Sequence, residues 1–151
     1  NTFPYKHSEN NPYVDAFWKW WPELYSKMDT FRITGGEPLL SKDTWRVLDY
    51  IIQTDTPNTN LKLSINSNLG ITDDLVDKLI EKLQIIINEE RVKEVIIFTS
   101  CDAYGKQAEY TRFNMNYDKW ESNVDKILTV LDKVTVVVMS TKKVGKLTHM
   151  K

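Results

Sequence analysis

The stretch Thr30-Phe31-Arg32-Ile33-Thr34-Gly35-Gly36-Glu37-Pro38-Leu39-Leu40 sets the frame for the whole chain. Thr30 to Thr34 reads as a short strand. The two glycines that end it let the backbone approach another group closely, with N–H and C=O groups exposed. Glu37 adds a carboxylate able to accept from an ammonium group, and Pro38 fixes the exit direction. Gly35, Gly36, Glu37 and Pro38 together suit the zwitterionic head of an amino-acid-like molecule. A tight turn with a solvated glutamate is the competing reading.

Outward from this stretch the pattern alternates. Ser41 is an N-cap that opens a helix through Ile52, with Trp45, Leu48, Ile51 and Ile52 on one face. Thr54 to Asn60 is a turn cluster. Leu61 to Asn66 alternates with period two and ends in Asn66-Ser67-Asn68-Leu69-Gly70. A second helix runs from Thr72, its N-cap, to Asn88 with the stripe Leu75, Leu79, Leu83 and Ile86. Val92 to Thr99 carries the continuous apolar run of a strand buried on both faces. A long loop from Ser100 to Asn116 precedes a third helix, Tyr117 to Leu131, with Trp120, Val124, Ile127, Leu128 and Leu131 facing inward. Val134 to Met139 is the last strand. Four strands joined by three crossovers of this length are expected to be parallel, so the class is α/β. Periodicity leaves an open doubly wound sheet and part of a (β/α) barrel equally possible. Both place ligand sites at the carboxyl ends of strands. That rule selects Gly35 to Pro38, Asn66 to Leu69, Ser100 to Asp102, and Ser140-Thr141.

Before the first strand, residues 1–29 form an aromatic-rich loop and helix from Pro12 to Met28. Val14, Phe17, Trp18 and Trp21 share one helical face, a pattern that marks packing more often than a binding surface. Pro22 is a possible kink. Residues 142–151 read as a polar basic tail. The chain begins at Asn1 rather than Met, and both ends are expected to be cuts.

The composition fits a globular domain. The 151 residues are 41% hydrophobic and 27% charged, with 20 basic against 21 acidic side chains, a balance that argues against a nucleic-acid-binding face. No apolar run approaches the roughly 20 residues of a membrane span. A single cysteine excludes a disulfide framework and a multi-cysteine metal site built by this chain alone. Cys101 reads as a buried structural thiol, and His7 and His149 have no partner at ligand spacing. The expected location is cytoplasmic.

Thr34-Gly35-Gly36-Glu37-Pro38-Leu39-Leu40, between a strand and a helix, resembles the radical SAM superfamily. Ile65-Asn66-Ser67-Asn68-Leu69 resembles that family's third strand and Phe98-Thr99-Ser100-Cys101-Asp102-Ala103 its fourth. Glu109-Tyr110-Thr111-Arg112, then Trp120 and Asn123, resemble the segment that follows in members with a twitch or related auxiliary domain. The likeness runs from about Trp18 to Thr141. It implies a partial radical SAM barrel over residues 30–141, in which Gly35, Gly36 and Glu37 bind the methionyl amino group of S-adenosylmethionine. Asn66 or Asn68 would contact cofactor or substrate, and Ser100 and Asp102 would lie near the ribose. Arg112 would either pair with the methionyl carboxylate or form a salt bridge with Glu109, and Asp102 would otherwise cap its loop.

The family also implies a [4Fe–4S] cluster held by a Cys-x-x-x-Cys-x-x-Cys loop after the first strand, which this sequence lacks. The reading is therefore an internal fragment. Its parent would reductively cleave S-adenosylmethionine with electrons from a reductant protein. The resulting 5′-deoxyadenosyl radical would take a hydrogen atom from a small-molecule or peptide substrate. The alternative is a non-catalytic α/β module that binds a nucleotide or an amino acid on a degenerate version of the same fold.

Overall fold

The computed structural model describes residues 11–112 and 115–140. The basic tail and the two histidines considered above lie outside them. Asn11 caps helix α1 (Pro12–Lys27) by accepting from the Tyr13 amide, with Pro12 in the first turn where no intrahelical N–H is needed. Pro22 lies inside α1, and the helix continues through it to Lys27. Asn58, in the turn cluster, donates through Nδ2 to the Tyr25 and Met28 carbonyls and through its amide to the Tyr25 hydroxyl. This joins the end of α1 to the turn before the second strand.

Four strands follow: β1 (Thr30–Ile33), β2 (Lys62–Asn66), β3 (Glu94–Ser100) and β4 (Val134–Met139). They form one sheet in the order β1-β2-β3-β4, and every neighbouring pair is parallel. The connections carry α2 (Lys42–Gln53), α3 (Asp73–Asn88), a short α4 (Lys106–Thr111) and α5 (Tyr117–Val130). A 3₁₀ turn, Pro38–Leu40, lies between β1 and α2.

Strand order that runs one way, with crossovers of one hand, places every crossover helix on the same side of a sheet. The contacts agree. Trp18 of α1 donates to Asp43 in the first turn of α2, α2 and α3 are joined by the Lys82–Asp49 pair, and α3 and α5 by Lys119–Asp73 and Lys126–Asp77. Beneath this layer lie Leu63, Ile65, Val95, Ile97 and Thr99, all buried. The pleat sends Arg32, Ser64, Asn66, Ile96, Phe98, Ser100, Val137 and Met139 to the opposite face. Apart from Ser64 these residues are half-buried or exposed, and no described helix covers them.

Several local expectations need correction. The loop from Ser100 to Asn116 contains α4, whose six residues are too few for a periodic signal. Leu128 does not face inward: it is 49% exposed, because it sits one residue, about 100°, past the buried Ile127. Thr72 stands at the N-cap of α3, but its side chain makes no capping bond; its carbonyl accepts from the Leu75 and Val76 amides. Ser41 caps α2 as expected, accepting from Asp43 N. The α1 aromatics pack. Trp21 and Tyr25 are buried, and Trp21 lies 4.8 Å from Phe31 and 6.0 Å from Tyr50, centroid to centroid. Val14 and Trp20 remain exposed.

Candidate functional site at the carboxyl ends of the strands

The parallel register brings the ends of β1, β2 and β3 side by side, so the segments selected by sequence meet at one rim of the sheet. Glu37 is its organising residue. It caps the 3₁₀ turn by accepting from Leu39 N at 3.2 Å on Oε1. The same oxygen accepts from Ser67 Oγ at 2.8 Å, and Oε2 accepts from Asn68 N at 2.9 Å. The carboxylate thus ties the loop after β1 to the loop after β2. A carboxylate offers about four acceptor positions. The second lone pair of Oε2 has no partner among the described residues, so an ammonium group has one place to donate.

Gly35 and Gly36 differ in what requires them. Gly35 has φ +134°, a conformation that side chains rarely adopt. Gly36 has no such constraint, and a Cβ built there would meet nothing within 4 Å. The same is true of Gly35, and both glycines are exposed, so the space beside them is open to solvent. Neither glycine carbonyl accepts a hydrogen bond among the described residues. Pro38 is buried and opens the 3₁₀ turn. A groove of about 430 Å³ runs along the outer edge of β1, between Phe17 and Trp18 of α1 and the start of α2, and reaches Gly35, Gly36 and Glu37.

The loop after β2 is built by its own side chains. Ser67, buried, accepts from Leu69 N at 3.0 Å while donating to Glu37, and Asn68 Oδ1 accepts from Gly70 N at 2.8 Å. Leu69 takes a left-handed φ of +52°. From α5, the buried Asn123 donates Nδ2 to the Leu69 and Ile71 carbonyls, at 2.7 and 3.1 Å, and holds that turn from beneath. Its Oδ1 finds no partner among the described residues.

Asn66 and Asn68 point to different tasks. Asn66 stands on the open face and accepts from Arg32 Nε at 2.8 Å, whereas Asn68 is exposed at the rim. Ser100, the last residue of β3, shares the open face with Met139. Asp102 is not at the end of a free loop: its Oδ2 accepts from Arg112 Nε at 2.9 Å. The salt bridge expected between Arg112 and Glu109 is not formed. Glu109 instead accepts from Tyr117 N. The Cys101 side chain is buried and donates to the Ala103 carbonyl at 3.0 Å. Ser140 follows β4 at the same rim, and Thr141 lies outside the described residues.

Arg32, Ser67, Phe98 and Asn123 belong to this site, and the sequence alone assigns none of them a role in it. A charged side chain at the centre of a strand of four, Thr30-Phe31-Arg32-Ile33, is the signal that marks Arg32. Ser67 was hidden between two asparagines that looked more informative.

No group of three His, Cys, Asp or Glu side chains disposed to hold a metal ion occurs among the described residues. No helix among them is long and apolar enough to cross a membrane. Comparison of the chain with protein-family models, with curated proteins and with solved structures returned no match.

Proposed function

We propose that this chain forms the S-adenosylmethionine-binding part of a radical SAM enzyme, a section of its parallel (β/α) barrel. One observation carries the reading. After β1, two exposed glycine carbonyls without partners among the described residues adjoin a Glu37 carboxylate with one acceptor position left there. An ammonium group donates in three directions, and carbonyl oxygens together with a carboxylate are the acceptors that suit it. The one-way winding of the sheet also favours barrel over doubly wound sheet, since a doubly wound sheet reverses its strand order and puts helices on both faces. The groove along the outer edge of β1 leaves room for a further parallel strand there.

In this reading Gly35, Gly36 and Glu37 hold the methionyl amino group, and Pro38 fixes the turn that presents them. Asn66, Asn68 and Ser100 line the adjoining rim. Asp102, set in place by Arg112, is the acceptor nearest a ribose bound over β3. Arg112 orients Asp102 through its Nε. S-adenosylmethionine supplies the 5′-deoxyadenosyl group, which such enzymes release as a hydrogen-abstracting radical. The described residues do not fit a [4Fe–4S] cluster: the one thiolate source, Cys101, is buried and bonded to a carbonyl. No ligand for the cluster is therefore assigned to the described residues.

Calorimetric titration with S-adenosylmethionine, on the wild type and on Gly36→Ala, tests the reading. Without a cluster to chelate the methionine end, millimolar affinity is expected, about −4 kcal/mol. The alanine should abolish it while leaving the fold intact. Equal heats from both proteins would refute the assignment.

A further inference from the structure

Arg32 projects from the middle of β1 onto the sheet face that the helices leave uncovered. Two contacts fix it. Its Nε donates to Asn66 Oδ1, and its Cζ lies 4.3 Å above the Phe98 ring centroid. It takes part in no ion pair among the described residues. Asp102 is paired with Arg112, and the Glu37 carboxylate is occupied by Leu39, Ser67 and Asn68. Both Nη groups of Arg32 are left as donors, in a planar fork whose orientation is set before anything binds.

We propose that Arg32, with the Asn66 side-chain amide beside it, is a carboxylate-binding site on the open face. The Nη edge presents two parallel N–H donors at the spacing of a carboxylate. With Oδ1 occupied by Arg32, Nδ2 of Asn66 remains as a further donor on the same side. One positive charge balances a monoanion, whereas a phosphate dianion would call for more than one cation. Beside it the face carries apolar side chains, Ile96 and Phe98 on β3 and Val137 and Met139 on β4, with Ser64, Ser100 and Thr135 among them. The complementary ligand is a carboxylate joined to an apolar or aromatic body. The proposal rests on the open face being the ligand face, as in the function proposed above, and not on which cofactor binds at Glu37. The carboxylate has two sources, the methionyl group of S-adenosylmethionine or a separate substrate.

The test is titration of the wild type, Arg32→Gln and Arg32→Lys with four probes. These are 3-phenylpropionate, its neutral analogue 3-phenylpropanol, S-adenosylmethionine, and methylthioadenosine, which lacks the amino-acid group. Loss of a bidentate charged contact should weaken a carboxylate about tenfold or more in Arg32→Gln, and less in Arg32→Lys. The alcohol and methylthioadenosine should be indifferent to both changes. A deficit confined to S-adenosylmethionine identifies the cofactor as the source, and one confined to 3-phenylpropionate identifies a substrate. If neither carboxylate loses affinity in Arg32→Gln, or the alcohol loses as much as the acid, the proposal is overturned. Urea midpoints check folding, and Arg32→Lys, which keeps the charge, serves if the glutamine variant unfolds. Arg32-dependent binding of 3-phenylpropionate without any binding of S-adenosylmethionine would defeat the cofactor reading and leave this one standing. Binding of S-adenosylmethionine that ignores Arg32, with no uptake of 3-phenylpropionate, would do the reverse.

Discussion

Replacing Glu37 by alanine removes three hydrogen bonds at once, from Leu39 N, Ser67 Oγ and Asn68 N. Their costs are unequal. Asn68 is exposed and its amide can turn to water, which leaves a loss of a few tenths of a kcal/mol. Leu39 and Ser67 are buried, and each donor that loses its acceptor there costs about 1–2 kcal/mol. Ser67 keeps the bond it accepts from Leu69 N, so the lower part of that range applies to it. The sum is about 2–3 kcal/mol, and at 2–4 °C per kcal/mol for a chain of this size Tm should fall by about 4–12 °C. Urea unfolding followed by tryptophan fluorescence measures it, and an unchanged m-value would show that the native state alone is affected. A double-mutant cycle with Ser67→Ala isolates the contact between the two loops, with an expected coupling of about 1 kcal/mol. A loss below about 0.5 kcal/mol for Glu37→Ala, or additivity within about 0.3 kcal/mol in the cycle, would refute the claim that this carboxylate joins the loops.

Other substitutions separate fold from site. Gly35→Ala, at φ +134°, should cost about 1–3 kcal/mol, whereas Gly36→Ala, in open space at an ordinary φ, should gain about 0.4–1 kcal/mol; urea midpoints moving the same way for both would contradict the distinction. Asn123→Ala leaves the Leu69 and Ile71 carbonyls without their donor and should cost about 2–3 kcal/mol. Hydrogen exchange at the Leu69 and Gly70 amides should speed up in that variant more than exchange in β3. Burial, then the bond to Glu121, pushes the Tyr117 phenol up to about 12, and burial raises Tyr25 as well. A folded-state value raised above the unfolded value of 10.0 means stability that is fully present below pH 10.0 and lost as pH climbs toward about 12. Phenolate absorbance should show a late step that disappears in Tyr117→Phe, and a step of full amplitude complete by pH 10.0 would contradict it.

Most of the fold was legible because its signals are local. The continuous run Val95-Ile96-Ile97-Phe98 marks a strand, although not one buried on both faces as expected, since Ile96 and Phe98 are only half-buried on the face no described helix covers, and the stripe on α3 marks a helix covering one face. Whether the sheet winds one way or two is a matter of strand order, which no local pattern encodes, and so it had to come from the structure. The rim was legible in outline, since the carboxyl-end rule picked the three loops that meet there. Its wiring was not. Glu37 reaches residues 30 and 31 positions away, Asn123 reaches back 54, and Arg112 bonds Asp102 across α4 rather than its helical neighbour Glu109. Such contacts depend on register between strands, and a side chain such as Arg32 gains its meaning only once Asn66 and Phe98 are beside it.

The most direct test of the central claim is to record backbone amide spectra of the chain while adding S-adenosylmethionine. Shifts are expected at Gly35, Gly36, Glu37, Asn68 and Asp102, with Lys62, Glu94 and Lys133 at the opposite end of the sheet unmoved. Shifts centred at that opposite end, or none at millimolar ligand, would contradict it.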